Sequence, residues 1–354
     1  DINKFMATAT LTFKPKAITK KLLGALPERA RIVLSRRYGL DKDGERMTLE
    51  AIGEQYTITR ERVRQIEHAA IQNIRKSQVF KQEKAVFAEL HAKVTELGGM
   101  VAEEELLTTL SKDLITRNHI HFILTIGEEF KKEKEDDEFK HRWHIDTGLS
   151  KKIHDALRKL YKSLDDNALI PESEMINSFL EHLQDVNEKY RNEEVARRWL
   201  NISKHMAKNP LGEWGKASSS NISTKGIRDY AFLAMRKHGS PIHFRDIAKQ
   251  IEVLFKKKAH VATTHNELIK DKRFVLVGRG LYALAEWGYA NGVVKDVVKN
   301  VLEKYGPMTK EEIVQKVLKE RYVKENTILV NLQNNKFFKK DKEGKYSIVP
   351  ATTK

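Results

Sequence analysis

Thr48-Leu-Glu-Ala-Ile-Gly-Glu-Gln55, Tyr56-Thr-Ile58 and Thr59-Arg-Glu-Arg-Val-Arg-Gln-Ile-Glu-His-Ala-Ala-Ile-Gln-Asn-Ile-Arg75 read in order as a short helix, a turn and a long helix. Leu49 and Ile52 stand three apart on the first helix, and Val63, Ile66, Ala70 and Ile74 share one face of the second. That spacing buries one side of a helix. The opposite face carries Arg60, Glu61, Arg64, Gln65 and His68 and begins within the first turn. In a helix-turn-helix, the second helix reads base edges with residues near its N-terminus. Arg suits guanine O6 and N7, Gln suits adenine, and Glu accepts from cytosine N4. The same composition also fits a solvated face laced with i, i+4 charge pairs.

The surrounding chain favours the nucleic-acid reading. Its 354 residues are too many for one compact domain, and 40% hydrophobic with 32% charged residues gives cores under a heavily charged surface. Lys and Arg number 65 against 49 Asp and Glu, a net charge of +16, which suits a polyanionic partner. With no cysteine, disulfides, thiolate zinc sites, iron–sulfur clusters and thiol nucleophiles are excluded. No run approaches the roughly 20 apolar residues of a membrane span, and the start has no basic region leading into an apolar one. The first residue is Asp1 rather than Met, which leaves residues upstream of Asp1 an open question. The expectation is a cytoplasmic, nucleoid-associated protein whose partner is double-stranded DNA, with no membrane, cofactor or small-molecule substrate.

Charge and pattern divide the chain into a tail at 1–16 and segments at 17–79, 80–149, 150–221, 222–290 and 291–354. Their net charges are +2, +5, −5, +1, +7 and +6. The acidic segment repels phosphate, so charge alone assigns it to protein or solvent and makes it dispensable for DNA binding. Each of the last four segments opens with an amphipathic helix and then breaks, at 97–101, 167–171, 238–242 and 305–309. Helices follow at 103–110, 172–183, 245–251 and 310–318, then a third helical stretch. Each segment closes on a candidate hairpin, at 130–145, 206–217, 274–284 and 337–349, with turn formers such as Asp136-Asp137, Leu211-Gly212, Gly278-Arg279-Gly280 and Glu343-Gly344 at the tips. Three helices and a two-stranded wing make a winged helix, repeated four times. The fold class is therefore mainly α: a tandem array of one helix-turn-helix domain and four winged-helix modules with small β-hairpin wings. Lys216–Thr224 reads as a linker.

Leu26-Pro-Glu-Arg-Ala-Arg-Ile-Val-Leu-Ser-Arg-Arg-Tyr-Gly-Leu40, Thr48-Leu-Glu-Ala-Ile-Gly53 and Thr59-Arg-Glu-Arg-Val-Arg-Gln-Ile-Glu67 together resemble region 4 of bacterial primary sigma factors. That module reads the −35 promoter element and docks on the β flap of RNA polymerase. The resemblance implies base contacts from Arg60, Glu61 and Gln65, with Arg64 beside them. It implies phosphate contacts from Arg29, Arg37, Thr48 and Leu49. Only 25 residues precede Leu26, too few for the machinery that melts a promoter, so the sequence predicts a chain that does not initiate transcription by itself. A second resemblance joins Ile227–Met235, His243–Ala248, Asn266–Phe274 and Leu281–Trp287. These are similar to the HARE winged helix, a family that includes the N-terminal domain of the RNA polymerase delta subunit. Here Lys256, Lys257, Lys258, Lys270, Lys272, Arg273 and Arg279 are candidates for phosphate, with Arg279 at the wing tip; a lysine run is equally a solubilising loop.

Other constellations take plainer readings. His119 and His121, and His141 and His144, have spacings a metal could use, but no Cys or carboxylate triad completes either pair. Trp143, Trp199, Trp214 and Trp287 fall at module ends and suit core packing beneath the wings. No nuclease or nucleotide-loop pattern occurs, so binding without catalysis is expected. The reading is a bacterial DNA-binding transcription regulator that recognises a −35-like element and contacts RNA polymerase. The alternatives are an architectural DNA-organising protein, or an accessory subunit of a DNA-processing or defence system.

Overall fold

The computed structural model describes residues 11–289, 294–320 and 325–349; most of the 1–16 tail and the 290/291 boundary lie outside them. It is mainly helical, with small antiparallel sheets. The described residues fall into two compact units, one running to Ala207 with Trp214–Ser218, the other Lys208–Glu213 with Ser219 onward. Among the described residues, no helix is long and apolar enough to cross a membrane.

The first unit opens with α1 (Pro15–Gly24) and α2 (Glu28–Tyr38). Proline begins α1, where its missing N–H costs nothing. Gly39 ends α2 with φ 62°, and a Cβ there would stand 2.6 Å from the Gly44 carbonyl oxygen, so only glycine fits. α3 (Leu49–Gln55) and α4 (Arg60–Lys76) follow, each capped by a threonine hydroxyl. Thr48 accepts from the Ala51 N–H at 3.1 Å and Thr59 from the Arg62 N–H at 3.2 Å. Val33, Ile52 and Val63 form a small core of their own, with Leu49, Tyr56, Ile58 and Ile66 packed around it.

The apolar side of α1 turns elsewhere. Past α5 (Gln78–Gln82) and α6 (Lys84–Glu96) come β1 (Met100–Ala102), α7 (Glu103–Leu110) and α8 (Leu114–Ile126), then the strands β2 (Lys131–Glu133) and β3 (Arg142–His144). α1 lies along α8. Ile18, Leu22, Leu34, Ala70 and Ile74 share one core with Leu90, Ile120, Phe122, Ile123 and Trp143. Polar contacts lock this joint. Asn118, on α8, donates to the carbonyls of Gly39 and Gly44, both at 2.9 Å, and accepts from Arg46 at 2.9 Å. Arg75, near the end of α4, donates to the last carbonyls of α8, Ile126 at 2.9 Å and Thr125 at 3.0 Å. The acidic stretch is thus built into the body that carries the helix-turn-helix.

A second core of this unit gathers α9 (Thr147–Ser163), α10 (Glu172–Glu181), α11 (Glu193–Leu200) and the strands β4 (Met206–Lys208) and β5 (Trp214–Lys216) around Phe179, Trp199 and Trp214. The other unit contains α12 (Ile227–His238), β6 (Ile242–His243), α13 (Phe244–Phe255), α14 (Val261–Lys270), β7 (Phe274–Gly278) and β8 (Leu281–Leu284). It continues with α15 (Val294–Tyr305), α16 (Lys310–Glu320), α17 (Glu325–Leu332), β9 (Phe338–Lys340) and β10 (Tyr346–Ile348).

One pairing recurs in all four helical sets. The break after the first helix pairs with the second strand of the hairpin that closes the set: β1 with β3, Ile170 with Trp214, β6 with β8, and Met308 with Tyr346. Trp143, Trp199 and Trp214 are fully buried, while Trp287 is half-buried.

The stretch read as a linker is packed instead. Ser219, Asn221 and Ile222 are buried. The Asn221 carbonyl accepts from Asn209, and its side-chain oxygen accepts from Arg273 at 3.1 Å. Short hydroxyl and amide side chains bond to nearby backbone and fold such a segment on itself, as Ser219 does by accepting from the Asn221 N–H at 3.3 Å. Ile222 is the apolar anchor.

Candidate nucleic-acid interface

The turn between α3 and α4 sets the geometry. Gly53 is buried where the backbones close: a Cβ on it would stand 2.6 Å from the Ile58 carbonyl oxygen, and its own carbonyl accepts from the Ile58 N–H at 2.9 Å. Thr57 makes the reversal with φ 53°. With Val63 and Ile74 buried on one side of α4, Arg60, Glu61, Arg64 and Gln65 stand together on its exposed side. The helix N-terminus, where the dipole favours an anion, lies at the same place.

Each of these side chains already has a partner. Arg60 Nε lies 3.1 Å from Glu50, which projects from α3. Arg64 donates two N–H groups to the Glu61 carboxylate, at 2.7 and 2.8 Å. Gln65 accepts from Arg62 at 3.2 Å. The bonds from Arg64 hold the Glu61 carboxyl below the usual carboxylate range, so it is an acceptor at neutral pH. These pairs are exchangeable. The exposed Arg60–Glu50 pair is worth about 0–1 kcal/mol, against roughly 1–3 kcal/mol for a bidentate arginine–guanine contact.

The phosphate candidates divide. Arg29 is exposed on α2. Arg37 is half-buried, donating to the Met47 carbonyl at 3.1 Å and lying 3.6 Å from Glu67, so it also braces the approach to α3. Thr48 is exposed and spends its hydroxyl on capping α3, while Leu49 packs on the small core. At Leu49 the backbone N–H, rather than the side chain, is what the position offers a phosphate.

In the other unit, Lys256, Lys257 and Lys258 are exposed after α13, with Lys257 Nζ 5.5 Å from the Tyr230 ring centroid. Arg279 is exposed at the tip between β7 and β8. Arg273 is engaged within the fold: it pairs with Asp229 at 2.8 Å and Asp271 at 2.7 Å and braces the packed 219–222 turn.

The histidine pairs are likewise absorbed. His119 and His121 are both buried on α8, with His121 3.4 Å from Glu103. His144 lies 3.0 Å from Glu133, and His141 Nδ1 accepts from the Glu135 N–H at 2.9 Å. Among the described residues no group of three His, Asp or Glu is placed to hold a metal. Sequence reasoning missed Glu50, because pairing across a turn leaves no periodic signal, and Arg62, whose bond to Gln65 lies within α4 itself.

Residues 22–76 match the family Sigma-70, region 4. Over 56 residues the chain is 52% identical to the RNA polymerase sigma factor SigA of a Nostoc species, covering 16% of this chain and 14% of that protein. Over 63 residues it is 46% identical to RpoD of Helicobacter pylori, 18% of this chain and 9% of that one. SigA of Clostridium acetobutylicum is 47% identical over 55 residues, 16% and 14% of the two chains. The chain thus spans only 9–14% of the length of these relatives. The likeness is of one segment, a Sigma-70 region 4 helix-turn-helix, and it points to a DNA-binding, RNA polymerase-related role.

Proposed function

We propose that the chain is a bacterial DNA-binding transcription regulator that reads a −35-like promoter element through α3 and α4 and contacts RNA polymerase, at its β flap, through the region 4-like body. The observation that carries the reading is the exposed group Arg60, Glu61, Arg64 and Gln65, gathered at the N-terminal end of α4 on a two-helix frame packed around Val33, Ile52 and Val63. Arg60 takes a guanine, Glu61 the amine of the neighbouring cytosine, and phosphate contacts from Arg29, Arg37 and the start of α3 fix the register. The mechanism is binding without catalysis. We read the four helical sets as winged helices, the one at 222–290 of HARE type. The side of α1 turned to α8 is occupied within the chain, so a polymerase contact falls on the exposed remainder of α1 and α2.

The test is a mobility-shift comparison of a duplex bearing a −35-like element with a scrambled duplex at fixed salt, together with copurification of core polymerase. Preference for the element is expected, and equal affinity for the two duplexes would refute the reading. The architectural alternative is favoured by the net charges of +7 and +6 on segments 222–290 and 291–354; it predicts that equal affinity.

A further inference from the structure

The four helical sets spend their third helices differently. α8 is buried from Asn118 to Leu124 and again at Ile126, with its final carbonyls held by Arg75. α11 is pinned by the Trp199 indole N–H, which donates to the Met100 carbonyl at 3.0 Å. Its arginines are engaged too, Arg197 with Glu172 and Arg198 with Glu105 and Glu194. Neither helix is free to enter a groove. α14 is open but shows Val261 and Ile269 to solvent, with Leu276 exposed on β7.

α17 is open as well, with one large apolar side chain exposed against two on α14. It buries Ile328 and Leu332 and presents Asn326, Thr327 and Val330 outward, Val330 at 66% exposure. The hairpin after it inserts Phe338 into the core and turns Lys339 and Lys340 to solvent, with Lys342 at the tip and Lys336 at the approach. Among the described residues no carboxylate lies within ion-pair distance of Lys336, Lys339 or Lys342. The one carboxylate on α17 itself is Glu325, at its first position.

We infer that α17 and the hairpin of β9 and β10 form a second duplex-DNA site, in which α17 enters the major groove and Lys336, Lys339 and Lys342 lie on flanking phosphates. The side chains on the outward face are of base-reading type: Asn for adenine, Thr for either partner, and Val for the thymine methyl. Unpaired lysines on a wing beside such a helix supply the sequence-independent contacts that hold it in register. An acidic protein surface would use the lysines but would give Asn326 and Thr327 no role. The site goes beyond the region 4-like reading and does not depend on it.

The test uses the full chain and a short duplex with no −35-like element, with affinity followed by fluorescence anisotropy across a salt series. Each neutralised phosphate contributes roughly 0.9 to the slope of log K against log salt. The triple variant Lys336→Gln, Lys339→Gln, Lys342→Gln is expected to lower that slope by about 2–3 and to melt like the parent, since all three lysines are exposed. Asn326→Ala with Val330→Ala should narrow the spread of affinities over a panel of duplex sequences and leave the slope unchanged. The same drop in slope is expected when Arg60 is already Ala. An unchanged slope and affinity in the triple variant overturn the site. If Arg60→Ala still relaxes preference for the −35-like element in that case, the region 4-like reading stands without it.

Discussion

Arg60 and Glu61 are neighbours at the start of α4 with opposite charge, and their removal separates reading from attraction. Arg60→Ala should cost about 1–3 kcal/mol on the matched duplex and relax preference at one base position. Glu61→Ala should lose discrimination for cytosine while affinity for scrambled DNA rises, as a negative charge leaves the interface. Affinities on matched and single-mismatch duplexes check both. Uniform losses across every duplex would mean that α4 reads no base. Thr57 raises a different question at the same scale. Its φ of 53° is a conformation that a β-branched residue adopts at a cost, whereas Asn tolerates it. Thr57→Asn should therefore stabilise the turn by about 1 kcal/mol, seen as a higher Tm with unchanged DNA affinity.

At the scale of elements, the joint between α1 and α8 is the feature with most to lose. Asn118 satisfies two backbone carbonyls from the far side of that joint. Asn118→Ala strands both in a buried site, with an expected loss of about 2–3 kcal/mol, measurable by denaturant titration. The hairpin of β2 and β3 carries a pH response. Burial, then the charge of Arg142, pushes His154 down to about 4, and its neutral ring accepts from Arg142 Nε at 2.8 Å. Glu133, Arg158 and Asp136 also face it. A histidine depressed in the folded state gives its full stability above the unfolded value of about 6.5 and loses it as pH falls toward 4. Glu133 adds to the loss further down: burial opposes its charge, but Ser150, Arg142 and the two histidines outweigh that and lower its pKa. His154→Gln should flatten the fall in Tm between pH 6.5 and 4. The elements themselves were legible in the sequence. Val63, Ile66, Ala70 and Ile74 gave the face of α4, and turn formers marked all four hairpins, because periodicity and turn chemistry are local. The joint was not legible. The apolar faces of α1 and α8 each read as the core of their own segment, and periodicity does not say what a face packs against. The 216–224 stretch misled for the same reason: polarity suggested a linker, while its bonds go to residues distant in sequence.

Across the whole molecule, charge and packing give opposite expectations for residues 80–149. Their net charge of −5 makes them expendable for binding a polyanion. Yet they supply Leu90, Ile120, Phe122, Ile123 and Trp143 to the core that also holds Ile18, Leu22 and Ile74. Packing outweighs charge here, since full burial of each such side chain is worth about 1.5–3 kcal/mol. Deleting residues 80–149 should therefore abolish the cooperative melting of the helix-turn-helix body and its DNA binding together; a fragment that binds as the full chain does would contradict the shared core. That core also has a consequence in time. A chain leaves the ribosome N-terminus first, at roughly 5–20 residues per second, and α8 is complete about 50 residues after α4 ends. For several seconds the newborn protein holds its DNA-reading helices with the side of α1 uncovered, and in that interval it is a client for any chaperone that shelters apolar helices.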